Sequence, residues 1–336
     1  MRILYLPSSK VQQRQLEKPD FLAYPVRMAM EAEWYRNQGH EVYWAKEGGE
    51  YNFVFDYGDH MVLPYDKIIE QPENLPFLSL PHPDRIWTDA KNPKYQKNGN
   101  FQCRLPGTYT MAASGCVHGG CTFCVENGKP YEIRPYDDVI DEMSECYHMG
   151  FKSIFDDSAT FPTGEWLYHF CIRARDRKFK NLGCNMRMVD LDYEVMKQAG
   201  FKMVLFGLES ANQKTLDKIN KGVDIEKGIK CIKKASRTGL EPHIAVMFGY
   251  SWESDEDAIR TLKLVHYLLR KGFAKTAQAS FFNDGTGGSI ERHRKFVSQI
   301  YGVWKSPSFW FNQLKDIRDI NDITYLWRKI KAGLNL

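Results

Sequence analysis

Between residues 107 and 282 the chain alternates short apolar runs with longer amphipathic ones. The stretch "GTYTMAAS" (107–114) predicts a strand; a loop rich in Gly and Cys follows. In the next run, "DDVIDEMSECYHMG", Val139, Ile140, Met143, Cys146 and Tyr147 recur at helical spacing, and Gly150 ends the helix. "KSIFDDS" predicts a second strand, "TGEWLYHFCIRARDRKF" a second helix and "NLGCNMR" a third strand, with Gly and polar residues wherever the period changes. The alternation continues through "LDYEVMKQAG" (helix), "KMVLFGLES" (strand), "NQKTLDKIN" and "DIEKGIKCIKKASRTG" (helix), and "EPHIAVMFGY" (strand). It closes with "SDEDAIRTLKLVHYLLRKG" (helix) and "TAQASFFND" (strand). Six such repeats in roughly 180 residues have the spacing of parallel βα units. Six fall short of a full eight-stranded barrel, which leaves an open, partial barrel or a doubly wound sheet. In either architecture the chemistry belongs at the carboxyl ends of the strands.

The flanks read differently. "RILYLPS", "YPVRMAMEAEWYRNQGHEVYWAK" and "YNFVFDYG" predict strand, helix, strand and a third short strand, and the Pro-rich linker "QPENLPFLSLPHPDRIW" follows. From Glu291 on, the chain is rich in aromatics (Phe296, Tyr301, Trp304, Phe309, Trp310, Phe311, Trp327), which predicts helices laid on the barrel as a hydrophobic cover rather than a ligand cage. The expected organisation is a small α/β appendage (1–74), a linker (75–104), the barrel (105–290) and a helical cap (291–336). With 336 residues, 43% of them hydrophobic, the chain can bury a full core. Net charge is only +4 and the basic residues are spread along helical segments, so no nucleic-acid partner is expected. No run has the composition of a secretion signal or a membrane span, which predicts a cytoplasmic protein. There, eight cysteines are expected as metal ligands or buried small hydrophobes, not disulfides.

Three of those cysteines crowd into "SGCVHGGCTFC": Cys116, Cys121 and Cys124, directly after the first barrel strand. A structural zinc site closes its sphere with four ligands. Here three are local, Cys103 or His118 would have to supply a fourth, and no second C-x2-C pair is present. Spacing alone favours an iron–sulfur cluster over zinc, with zinc the alternative. Three thiolates on a four-iron cluster would leave one iron with an open position, which catalysis requires.

A cysteine triad with an aromatic before its last member ("CTFC"), placed after the first strand of a six-unit βα series, resembles the radical S-adenosylmethionine (SAM) superfamily. "FKSIFDDSATF", "NMRMVDLDYEVMKQAGFKMVLFGLESANQKTLDKINKG" and "FGYSWESDEDAIRTL" are similar to successive units of the subfamily that carries an amino-terminal cobalamin-binding domain. The resemblance spans about residues 75–290 and implies a partial (β/α)6 barrel, a [4Fe-4S] cluster on Cys116, Cys121 and Cys124, and SAM chelated at the remaining iron. It implies further that Glu209 of "GLES" binds the ribose hydroxyls and Arg187 the methionine carboxylate. Asp157 and Ser158 would face the amino group, with Asp156 the alternative inward carboxylate. Phe123, Val246 and Phe248 would pack on adenine, with ordinary barrel core the alternative for the last two. The partners so implied are a small-molecule or peptide substrate and an electron donor such as flavodoxin or ferredoxin.

Departures are specific. The family triad is C-x3-C-x2-C, whereas here four residues, Val117, His118, Gly119 and Gly120, fill the first interval. His118 is then a loop residue or a proton donor, and Cys184 a core thiol or one directed at substrate. Ser251 and Trp252 replace the Pro and Gly of the turn at 249–254, and Asn283 and Asp284 precede "GTGG" where Pro is usual. Asp59 and His60 are adjacent and do not make the Asp-x-His-x-x-Gly cobalamin signature, so the appendage reads as a truncated relic of that domain, with bound cobalamin the alternative.

Overall fold

The structure, a computed structural model, describes residues 2–6, 25–44, 53–56, 75–96, 103–282, 290–315, 317 and 319–334. Asn283, Asp284, the "GTGG" segment, Asp59 and His60 lie outside the described residues.

The amino-terminal segment forms a parallel three-stranded sheet, order β2-β1-β3, from β1 (Arg2–Leu6), β2 (Glu41–Trp44) and β3 (Phe53–Asp56), with helix α1 (Val26–Asn37) as the crossover. Met28 and Ala32 of α1 pack with Tyr35, Val42 and Trp44, and Trp87 of the linker joins them. Val26, Ala29 and Met30 enter the main core beside Phe77 and Leu80. The linker holds one 3-10 turn (Phe77–Ser79) and the short α2 (Pro93–Gln96). Its Arg85 is buried against the barrel, donating to the Tyr109 carbonyl and to Glu142, whose other carboxylate oxygen takes Arg134.

Six parallel strands then lie in chain order: β4 (Gly107–Thr110), β7 (Ser153–Asp156), β8 (Leu182–Met186), β9 (Phe201–Glu209), β10 (Glu241–Phe248) and β11 (Thr276–Phe281). A small antiparallel pair, β5 (Ala113–Ser114) and β6 (Glu132–Ile133), sits between the first two. The helices are α3 (Tyr136–His148), α4 (Glu165–Asp176), α5 (Tyr193–Gln198), α6 (Gln213–Lys218), α7 (Ile225–Arg237) and α8 (Asp255–Arg270). This is the partial (β/α)6 barrel that the repeat pattern left open beside a doubly wound sheet.

Register decides which side chains face the barrel interior. Thr110, Asp156 and Cys184 stand in one row across β4, β7 and β8. Cys184 lies close enough to Cys171 of α4 for the two thiols to interact, so this row faces the helices. Phe206 of β9 belongs to the same face and meets Tyr193 of α5 edge to face at 6.2 Å. The alternate row faces inward: Tyr109 contacts Phe155, and a Cβ on Gly183 would lie 2.7 Å from the Phe155 ring, so glycine makes room for that ring. Higher in the interior, Asn185, Leu205, Gly207 and Ala245 are only half-buried, as expected of an open mouth.

After β11 come α9 (Ile290–Ile300), a 3-10 turn (Tyr301–Lys305), α10 (Pro307–Leu314) and α11 (Ile320–Leu334). Phe296 of α9 stacks on Phe248 at 5.4 Å. Asp322 of α11 pairs with Arg104, just before β4, at 2.6 Å and with Lys202, near the start of β9, at 3.5 Å. The carboxyl-terminal helix therefore lies at the base of the barrel, at the strands' amino ends. Among the described residues no helix is long and apolar enough to cross a membrane.

Candidate cofactor site at the barrel mouth

The sequence predicts one strand over 107–114; the structure breaks it. The backbone leaves the sheet after Thr110 because Ala112 donates to the Asp156 carboxylate (2.8 Å) and Ala113 to Ser158 Oγ (2.8 Å). The cysteine loop hangs between β5 and β6. Gly115, at φ +73°, brings its Cα so close to the Pro130 carbonyl that a Cβ would lie 2.1 Å from the oxygen, so only glycine closes this neck. Within the loop, Gly119 is also left-handed (φ +54°) and accepts from Gly128 N–H at 3.0 Å, while Cys124 N–H donates to Cys121 O.

All eight cysteines are free thiols; Cys121 is buried, and Cys116 and Cys124 are half-buried. Burial pushes the Cys121 thiol up, Lys221 and Arg187 oppose that, and Cys124 and Cys116 add to it, so the three thiols and two cations feel one another. Among the described residues no three His, Cys, Asp or Glu side chains converge tightly enough for a single metal ion. A four-iron cubane asks for something else: one thiolate at each of three corners. Three soft donors on one loop, beside positive charge that favours thiolates, fit that group.

The loop rests on the turn 219–222, between α6 and α7. Thr122 N–H donates to Ile219 O (3.1 Å), Asn220 Nδ2 to Gly120 O (2.8 Å), and His118 Nε2 lies 2.6 Å from Asn220 O. The same turn presents Lys221, whose ammonium pairs with Glu209 Oε1 at 2.8 Å. Glu209 ends β9 at φ +60°, and a Cβ on Gly207 would lie 2.4 Å from Oε1 and 2.8 Å from Lys221 Nζ, so the ion pair lies flat on a glycine backbone. Arg187, at the end of β8, spends one guanidinium nitrogen on the Lys221 carbonyl (2.8 Å) and the Gly222 carbonyl (3.3 Å).

Phe123 joins Leu216, Ile219, Met247, Tyr250, Trp252 and Phe282 in an apolar cluster below the loop, and the Lys221 ammonium lies 5.9 Å from its ring centre. Trp252, one of the departures in the 249–254 turn, is built into that cluster and donates to Thr215 Oγ1 (3.3 Å). Cys116, Cys121, Cys124, Phe123, Arg187 and Glu209 are thus brought together at one end of the barrel.

The other expected residues divide. Asp156 is fully buried and bonded to Thr110, Ala112 and Ser158 N–H; burial pushes its carboxyl up to about 6. Ser158 is buried with its hydroxyl accepting from Ala113, which makes both residues part of the frame. Asp157, the next residue, is exposed; loss of hydration, then Asp156, push its carboxyl up to about 7. Val246 and Phe248 are fully buried on the face of β10 turned to the helices, and Met247 is the residue of that strand turned to Phe123. Cys184 is buried on the helix-facing row. Sequence reasoning missed Lys221, because nothing local names its partner.

Residues 112–265 match the family model described as the radical SAM superfamily. The chain is 28% identical over 253 residues to a putative methylthiotransferase of Methanocaldococcus jannaschii, covering 69% of this chain and 50% of that protein. It is 26% identical over 206 residues to an uncharacterized methyltransferase of Pyrococcus horikoshii, covering 58% of this chain and 42% of the other. The chain thus spans half or less of the length of these two curated relatives. Among solved structures it is similar to the radical SAM methyltransferase TsrM from Kitasatospora setae with cobalamin and a [4Fe-4S] cluster bound, at TM-score 0.48 and 18% identity over 56% of this chain and 35% of that one. The family match runs through the cysteine loop and four of the six barrel strands, so over residues 112–265 the chain is similar to the radical SAM superfamily, and it is an enzyme.

Proposed function

We propose that the chain cleaves SAM reductively at a [4Fe-4S] cluster and removes a hydrogen atom from a small-molecule or peptide substrate held in the barrel mouth. The observation that carries this reading is the meeting of the three thiols with Phe123, Arg187 and the Lys221–Glu209 pair at the strands' carboxyl ends. When bound at Cys116, Cys121 and Cys124, the cluster would supply the electron that splits the sulfonium carbon–sulfur bond and so yields the 5'-deoxyadenosyl radical.

The chain's own residues hold and orient. Glu209 gives one carboxylate oxygen to Lys221 and keeps the other for ribose hydroxyls. Arg187 has guanidinium N–H groups beyond the one bonded to the turn, and these are shaped for the methionine carboxylate. Asp157 is the open carboxylate for the amino group, while Asp156 and Ser158 set its backbone. Phe123 and the apolar cluster beneath it would flank adenine and exclude water. Val117 (59% exposed) and Val125 (80% exposed) stand on the outer rim of the loop, where an electron donor such as flavodoxin or ferredoxin would approach.

A second reading, cobalamin-dependent methyl transfer, draws on the strand order β2-β1-β3 of the amino-terminal sheet, which opens one kind of doubly wound domain. One anaerobic experiment separates them: reconstitute the protein, count iron, sulfide, zinc and cobalt, add dithionite and SAM, and look for 5'-deoxyadenosine. About four irons, no cobalt and 5'-deoxyadenosine formation that is lost in Cys121→Ala is the expected result. Stoichiometric cobalt with methyl transfer would favour the second reading, and zinc with intact SAM would overturn both.

A further inference from the structure

We propose that the four-residue interval between Cys116 and Cys121 is a built tether, in which His118 fastens the cysteine loop to the 219–222 turn and so fixes it relative to Glu209. The inference deepens the functional reading above and rests on it for what the loop carries.

The bond has one possible polarity. Asn220 O can only accept, so His118 Nε2, 2.6 Å away, must carry the proton. That Nε2 proton is engaged with the turn. The turn is shaped to receive the ring. Asn220 is left-handed (φ +50°), which aims its carbonyl at the loop, and its side-chain amide returns a bond to Gly120 O at 2.8 Å. A Cβ on Gly222 (φ +62°) would lie 2.7 Å from His118 Cε1, so the imidazole seats directly on glycine backbone. Beyond the ring, Arg187 holds the Lys221 and Gly222 carbonyls and Lys221 holds Glu209. The loop that carries the thiols and the carboxylate at the end of β9 are thus joined through one turn.

His118 is a positioning residue in this account. Its test is hydrogen–deuterium exchange on the full chain, iron-free and anaerobically reconstituted, in His118→Ala, His118→Gln and Val117→Ala variants. A Gln amide nitrogen reaches about as far as Nε2 and can donate; Val117 is exposed, carries no hydrogen-bonding side chain and serves as the neighbouring control on the same loop. In His118→Ala, amide exchange should rise about fivefold in both 116–124 and 219–222, the loss expected of one ordinary hydrogen bond. His118→Gln and Val117→Ala should stay near the parent, and SAM retention by the reconstituted protein should fall only in the Ala variant. Exchange that rises in the loop alone, or across the whole chain, or equally in Ala and Gln variants, would overturn the tether. Failure of the parent to take up iron would instead overturn the functional reading, and the iron-free comparison would still decide the tether.

Discussion

Replacing Lys221 by Met tests the site's electrostatics most directly. The pair it forms with Glu209 is 2.8 Å long, and the two side chains are only 12% and 10% exposed. A fully exposed pair would contribute about 0–1 kcal/mol, whereas removing one partner of a buried pair costs about 3–5 kcal/mol, because the remaining charge is stranded. Gly207 beneath the pair offers carbonyl and Cα surface in place of water, which puts this pair nearer the buried limit. With roughly a tenth of each side chain still wetted, a loss of about 2–4 kcal/mol is expected for Lys221→Met. The assay is equilibrium urea denaturation of the parent, Lys221→Met, Glu209→Gln and the double variant. The double variant removes both charges, so its loss should be smaller than the sum of the single losses by at least about 1 kcal/mol. The reasoning is refuted if the single losses add to within about 0.5 kcal/mol, or if Lys221→Met alone costs under about 1 kcal/mol.

Two further outcomes follow from titration. Burial works against ionisation of Glu142, but Arg85 and Arg134 outweigh it and hold the carboxyl below its ordinary 4.5; its stabilising contribution is therefore complete above that pH and is lost as pH falls through the lower folded value. Glu142→Gln should cost about 3–5 kcal/mol at neutral pH and flatten the acid limb of a stability–pH profile, with an unchanged limb as the contrary result. Asp157 ionises only as pH rises through about 7, so SAM retention measured by equilibrium dialysis should strengthen from pH 6 to 8 in the parent and vary less in Asp157→Asn. Equal pH dependence in both would remove Asp157 from the site.

The six βα units could be read from the chain because a strand repeats every two residues and a helix every 3.6, and because residues such as Gly150 and Gly200 mark the stops. The triad Cys116, Cys121 and Cys124 was legible for a similar reason: its spacing is local. Other choices were not local. Val246, Met247 and Phe248 are all apolar, since a parallel barrel strand is covered on both faces, and composition cannot say that Met247 turns to Phe123 while its neighbours turn to the helices. Asp156 and Asp157 are chemically identical in sequence; register alone sends one into the frame and leaves the other at the mouth. The aromatic tail announced helices, but whether α11 would cover mouth or base was decided by Asp322 meeting Arg104 and Lys202. His118 and Asn220 lie 102 positions apart and Glu209 and Lys221 lie 12 apart across a helix, so only closure of the barrel, which brings the ends of its strands to one rim, could make them neighbours.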